Sequence, residues 1–431
     1  MNIIIHKGTH NTGGTCIEIF KGASRLIFDL GLPLNTDPGP DYGFEFEQYR
    51  PKVKGLYKDS KETNFVSAVF LSHFHPEHSK FISEIHPRIP VYLTESVFAV
   101  MKSLEIFSGT KLLPENVKLL KTNEQKAVTA GDFSVTAVPA GEDAPDTLAF
   151  IIRCGGKTAV YAGGMADYCR KGMVPESFIQ EIPKNADLLL VEGAIAEAET
   201  ENLVKTEILF EDEAVNTINY ATAWPVLVNF NPLNTARLLS LSRACKKTNT
   251  IFVIDLLTAF IYAQARSLGW DMPDLHPGLF NILFFDAHEK ALKNNNQAEF
   301  LTRMFNNSIK FAEITEKRKR LVQFRPCHAD AYNRKKLYLT NKTLIYSQYD
   351  NAYYGQEQQS AQYRQYIENH NLKIHYARTN APAYVENLKE FLDLVTPREV
   401  VPVHTLNPEM FGGLFENHNI RMCNDGEMFR L

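Results

Sequence analysis

Three histidines and a glutamate fall within six residues in the segment SHFHPEHS, residues 72–79. The apolar, β-branched run VSAVFL leads straight into it, so the segment is predicted to leave the end of a β-strand. Side chains alternate in direction along a strand, which sends His73 and His75 to the same side. His78 is predicted to start a helix and to point back at them. Three imidazoles with the Glu77 carboxylate suit a divalent transition metal, zinc first, with manganese and iron as alternatives. The plainer alternatives are histidines grouped on a surface loop, or a hydrogen-bonded polar cluster of structural value.

The chain around this segment changes texture twice. Up to about residue 204 it reads as short strands separated by glycine-rich turns: IIIH, TCIEIF (15–20), RLIFD (25–29), PVYLTE (90–95), FSVTAV, TLAFIIRC, TAVYAGG (158–164) and ADLLLVEGA (186–194). The polar stretch 36–64 is predicted to be a surface loop. From 205 to 372 the pattern becomes regular βα alternation, with PVLVNF and IFVID as strands. NTARLLSLSRACKKT is predicted to be a helix opened by an Asn cap, and LLTAFIYAQARSLG one closed by Gly269; later strands are expected at KLYLTN and TLIYSQ. Such alternation implies a parallel sheet flanked by helices. Residues 373–431 return to the first texture.

At 431 residues the chain has room for roughly two or three domains, and 44% hydrophobic with 22% charged residues place it in the globular class. Its 46 Lys+Arg against 50 Asp+Glu exclude a whole-chain polybasic binder, so any hold on nucleic acid must come from a local patch. The run Lys317–Arg320 is expected to be a solvated face, with a nucleic-acid patch as the alternative. Six scattered cysteines without CxxC spacing fit isolated buried thiols in a reducing compartment. The start MNIIIHKGTH does not read as a signal peptide, and the apolar stretch Ile251–Ala263 is too short to span a bilayer. The expectation is a soluble cytoplasmic protein with no membrane partner; a homo-oligomer is left open.

SHFHPEHS resembles the signature of the metallo-β-lactamase superfamily, a strand followed by HxHxDH, with Glu77 in place of the aspartate. NTGGTCIEI and LIFDLGLPL resemble the opening hairpin of that fold. The resemblance implies that Asp29 orients a metal ligand from behind; otherwise it is a plain strand-end turn residue. EVVPVHTLNPEMF resembles the returning strand of the β-CASP branch, which includes bacterial ribonuclease J and the cleavage nuclease of mRNA 3′-end formation, and puts His404 where that branch has a ligand of its second metal. A lone histidine after a strand is otherwise a satisfied structural residue. The implied fold is α/β: a metallo-β-lactamase αββα sandwich with an inserted β-CASP-like α/β domain, residues 1–204 and 373–431 forming the sandwich and 205–372 the insert.

Three positions depart from that pattern. VPAGEDAPDTLAF places Glu142 where the family has a metal-binding histidine, with Asp143, Asp146 and Asp167 near enough in sequence to substitute. Tyr161-Ala162-Gly163-Gly164 puts a glycine where an aspartate bridges two metals, and Pro382 stands where the β-CASP nucleases carry a proton-donating histidine. Without a bridging carboxylate two cations repel each other unopposed, so one ion is expected rather than two. His73, His75, His78, His404, Glu77 and Glu142 are its candidate ligands, and Glu77 and Glu142 the candidate bases. In the insert, LIYSQYDNAYY resembles the phosphate-holding serine loop of the branch and points to Ser347. NFNPLNTAR (229–237) precedes a helix N-terminus that favours anions, which points to Asn231 and Arg237. Tyr349, Tyr353 and Tyr354 either stack bases or line the core. The resemblance implies a divergent metal-dependent hydrolase of the phosphodiesterase class, acting on RNA or another nucleotide. The rival readings are an inactive nucleic-acid-binding or regulatory module, and a small ester or thioester hydrolase.

Overall fold

Short apolar strands, most of them buried, build the sheets of this fold. The computed structural model describes residues 1–33, 46–62, 64–122, 126–140, 147–164, 175–193, 203–204, 206–315, 318–348, 357–379 and 385–431. They form two compact units, one from residues 1–102, 111–198 and 381–431, the other from 103–110 and 199–380.

In the first unit a seven-stranded sheet runs in the order Met428–Arg430, Asn2–Lys7, Cys16–Lys21, Ser24–Phe28, Ala68–Phe70, Val91–Thr94, Val117–Leu120. Its first pairings are antiparallel, and those from Ser24–Phe28 onward are parallel. A six-stranded sheet runs Val400–Val403, Leu188–Glu192, Lys157–Ala162, Leu148–Cys154, Phe133–Pro139, Val128–Ala130. Leu188 and Leu190 face one core with Ile17, Phe28, Phe70, Phe150 and Tyr161. Leu189 and Val191 alternate to the opposite face, against Phe178 of helix Glu176–Glu181 and Leu388, Phe391 and Leu392 of helix Val385–Val395. Phe28 is the hinge of the inner core, with ring centroids 5.3 Å from Phe70, 5.4 Å from Phe150 and 6.0 Å from Tyr161. The fold is the αββα sandwich of the metallo-β-lactamase type.

The second unit carries a seven-stranded, all-parallel sheet in the order Ser308–Ile309, Phe280–Leu283, Ile251–Asp255, Arg320–Gln323, Val226–Phe230, Thr343–Ser347, Lys373–Tyr376. Val226 and Val228 belong to the apolar cluster on one face, Leu227 to that on the other, as expected for strands buried on both sides. The expected helices run Thr235–Lys247, capped by Asn234 through the Arg237 N–H, and Leu256–Ser267, capped by Asp255. Among the described residues no helix is long and apolar enough to cross a membrane.

Several expectations change. KLYLTN is not a strand: Lys336 adopts φ 54°, the N–H of Leu337 bonds back to Tyr332 O, and the alternation of buried Leu337 and Leu339 around exposed Tyr338 reflects a helix exit packed on the core. Arg320 is not part of a solvated face; it opens a central strand, is buried, and donates to the carbonyls of Glu313 and Ile314. Val53, Leu56 and Tyr57 in the 36–64 stretch are buried, so that segment does more than cover the surface. Cys16, Cys154, Cys245 and Cys423 are buried as expected, whereas Cys327 is exposed.

Phe28→Ala is expected to cost about 3–5 kcal/mol in urea unfolding, while Leu119→Ala, at a 52% exposed position, is expected to stay within about 0.5 kcal/mol.

Candidate metal centre

The strand Ser24–Phe28 ends at Asp29, whose backbone takes the left-handed φ of 58°, a conformation that aspartate tolerates better than most residues. Its own N–H donates to Phe70 O at 3.0 Å, which fixes the carboxylate beside the end of the neighbouring strand. Oδ1 accepts the Ser72 N–H at 2.7 Å. Oδ2 accepts the Ser72 hydroxyl at 2.7 Å, His78 Nδ1 at 2.8 Å and the Tyr161 hydroxyl at 2.5 Å.

These bonds assign two tautomers. A carboxylate accepts a hydrogen bond from His78, so His78 carries a hydrogen on Nδ1. The Ser72 hydroxyl gives its hydrogen to Asp29 and therefore accepts from His73 Nδ1, 3.0 Å away. In its neutral form each imidazole then has its lone pair on Nε2. His73 Nε2 is buried and has no hydrogen-bond partner among the described residues.

The other two imidazoles stand against these. His75 N-caps the short helix Pro76–Ser79, its ring centroid 4.9 Å from that of His73 and its Nδ1 3.6 Å from Glu77 Oε1. His73 and His78 are 4.0 Å apart, centroid to centroid, and His404 stacks on His78 at 4.8 Å and 7°. His404 follows strand Val400–Val403 at φ 57°, with Nδ1 3.2 Å from Thr15 Oγ1 and Nε2 3.8 Å from Glu192 Oε1. Burial first, then the neighbouring imidazoles, hold His73 and His404 well below the usual histidine range. Burial also lowers His75, although Glu77 opposes it. Neutral imidazoles are the form that binds a cation.

Among the described residues no three His, Cys, Asp or Glu side chains form a group able to close around an ion. Glu142, Asp143, Asp146, Asp167 and Pro382 lie outside the described residues. At Gly164 a Cβ would stand 2.8 Å from Thr147 Cγ2 and 3.1 Å from His73 Cε1, so the space from which a carboxylate would project is taken up by those side chains.

Sequence reasoning missed Ser72, Tyr161, Thr15 and Glu192. Ser72 and Tyr161 stood within quoted motifs, but only the folded chain shows that both reach Asp29. Glu192 had a weaker signal, a carboxylate ending an apolar strand; parallel pairing of Glu192 with Val403 is what brings it to His404.

The remaining candidates belong to the second unit. Ser347 ends its strand, buried, and is in register with Phe230, so Asn231 is its neighbour at the carboxyl end of the sheet. Asn231 is exposed, and its Oδ1 accepts the Leu233 N–H. Arg237 is buried: Nε and Nη2 donate to Glu207 at 2.9 and 2.7 Å, and its guanidinium lies 3.8 Å from the Phe210 ring centroid. Its charge is balanced within the fold. Tyr349, Tyr353 and Tyr354 lie outside the described residues.

Residues 34–223, less than half of the chain, match the family model of the beta-lactamase superfamily domain. No curated protein matches the chain. A protein of unknown function from Enterococcus faecalis V583 has the same fold along the whole chain, with TM-score 0.74 and 18% identity over 100% of this chain and 99% of that one. Zn²⁺-bound PqqB from Methylobacterium extorquens aligns at TM-score 0.32 and 16% identity over 46% of this chain and 74% of its own. Human tRNase Z, short form, aligns at 0.31 and 14% over 47% and 81%. The family-model match falls on the part of the chain that carries the histidine segment, residues 72–79.

Removing one partner of a buried ion pair strands the other charge, so Arg237→Ala is expected to cost about 3–5 kcal/mol in equilibrium unfolding. The double variant Glu207→Met, Arg237→Met is expected to recover much of that loss.

Proposed function

We propose that the chain is a divergent metal-dependent hydrolase of the phosphodiesterase class, akin to the β-CASP branch, acting on RNA or another nucleotide phosphodiester with one divalent ion, zinc before manganese or iron. The observation that carries this is the buried Nε2 of His73, a lone pair fixed by the Asp29 network and without a partner among the described residues. A buried polar atom left unmade costs about 1–3 kcal/mol, and a cation answers it. His73, His75, His78 and His404 would hold the ion, with Glu77 and Glu142 the carboxylates assigned to it. The ion supplies Lewis acidity, polarising a phosphoryl oxygen and lowering the pKa of water.

The chain's own groups do the rest. Asp29 keeps the protons of His73 and His78 on Nδ1, directly or through Ser72, and so keeps both Nε2 atoms turned to the site. Glu77 or Glu142 accepts the proton of the attacking water. Ser347 and Asn231, neighbours at the carboxyl end of the second sheet, are the proposed phosphate contacts; Arg237 braces the helix that follows Asn231.

A second reading, an inactive nucleic-acid-binding module of this fold, is favoured by the filled space at Gly164 and by the absence of a closed ligand group among the described residues. The two separate by experiment. Protein purified without chelator is expected to carry about one ion per chain by elemental analysis, and His73→Ala, His75→Ala to carry none. End-labelled RNA with manganese or zinc is expected to be cut by the native chain and not by that variant. Equal metal content in both proteins contradicts the proposal; RNA bound but uncut supports the second reading.

A further inference from the structure

In the first unit the loop from Gly8 to Thr15 joins strands Asn2–Lys7 and Cys16–Lys21, and both of its ends rest on His404. Gly8 O accepts the His404 N–H at 2.7 Å, and Thr15 Oγ1 lies 3.2 Å from His404 Nδ1. The loop therefore runs beside the histidine segment. His10 stands within it, two residues beyond the Gly8 bond, with its side chain 44% exposed.

An exposed side chain ordinarily exchanges rotamers freely. This imidazole has a partner at each nitrogen. Asp425 Oδ1 accepts the Thr9 N–H at 3.1 Å and the Thr9 hydroxyl at 2.8 Å. Having given its hydrogen to Asp425, the buried Thr9 hydroxyl accepts from His10 Nδ1, 3.0 Å away. On the other side His10 Nε2 stands 3.4 Å from Oε1 of Glu409, which follows His404 by a short loop. Lys7 Nζ, 3.6 Å from Asp425 Oδ2, is the remaining charged group of this chain of contacts. Carboxylate, hydroxyl and imidazole come in the same order as in Asp29, Ser72 and His73. The consequence is also the same: the Nδ1 hydrogen is held in place, so His10 gains and loses its proton at Nε2, the atom beside Glu409.

We propose that His10 is the proton donor to the leaving oxygen in the phosphodiester hydrolysis proposed above, a role that rests on that reading. Water attacks phosphorus and gives up its proton to Glu77 or Glu142 as the new P–O bond forms. The bond from phosphorus to the leaving oxygen breaks with its electron pair on that oxygen, and the Nε2 proton of the His10 imidazolium passes to it. His10 is left neutral and takes a proton back from solvent. Glu409 accepts the Nε2–H until the substrate oxygen replaces it. Thr9 and Asp425 are positioning residues: they act through His10 alone.

The test uses the full chain, with manganese or zinc, on two phosphodiesters of thymidine 5′-phosphate. In the ethyl ester the leaving alkoxide needs a proton; in the p-nitrophenyl ester the leaving phenolate does not. His10→Gln is expected to lower kcat on the ethyl ester about 100-fold and to leave the p-nitrophenyl ester within about threefold. Thr9→Val is expected to lose about tenfold on the ethyl ester alone. In long-range ¹H–¹⁵N spectra without substrate or metal, neutral His10 is expected to carry its hydrogen on Nδ1 in the native chain and to show both tautomers in Thr9→Val. Equal losses on the two esters, no loss on the ethyl ester, or an Nε2–H tautomer in the native chain overturn the proposal. A native chain that cuts neither ester overturns the hydrolase reading and this role with it, whereas a native chain that cuts both and is matched by His10→Gln overturns the role alone.

Discussion

The carboxylate of Asp29 joins more of the first unit than any other described group at the site. It receives four donated hydrogens, two from Ser72 and one each from His78 and Tyr161, and thereby ties the end of its own strand to the histidine segment and to a strand of the opposite sheet. Two glycines follow from this closeness. A Cβ at Gly31 would stand 1.6 Å from Glu77 O, and one at Gly163 would stand 1.9 Å from the Tyr161 hydroxyl. Neither position can carry a side chain while the histidine segment and Tyr161 stay on Asp29.

That arrangement keeps the histidine segment in order through bonds that come from three separate parts of the chain. The tautomers of His73 and His78 depend on Asp29 and Ser72, and Tyr161 holds the same carboxylate. Beside His73, a Cβ at Gly164 would meet both Thr147 and the imidazole. The second unit solves a similar problem differently. Its buried Asp255 is balanced by the Arg325 charge and by His328, so that cluster holds its own counter-charge.

Much of this was legible before folding, because the signals are local. SHFHPEHS after an apolar run, an aspartate ending RLIFD, and asparagine and aspartate caps ahead of apolar periodicity each report on a few neighbouring residues. The illegible parts depend on partners far along the chain. Nothing near Tyr161 says that its hydroxyl reaches residue 29, and nothing near Arg237 says that Glu207 neutralises it. Arg320 reads as surface in a basic run because the run hides a strand start, and KLYLTN reads as a strand because a helix exit can bury alternate leucines.

The central claim is that the Asp29 network places the hydrogens of His73 and His78 on Nδ1 and leaves the buried His73 Nε2 with its lone pair. Long-range ¹H–¹⁵N correlation spectra of the metal-free chain at neutral pH measure this directly. The expected result is a protonated Nδ1 for both residues and an unprotonated Nε2 for His73, with the Nδ1–H signal of His78 lost in Asp29→Asn. An unprotonated Nδ1 at either position, or a protonated Nε2 at His73, in the native chain would contradict the account.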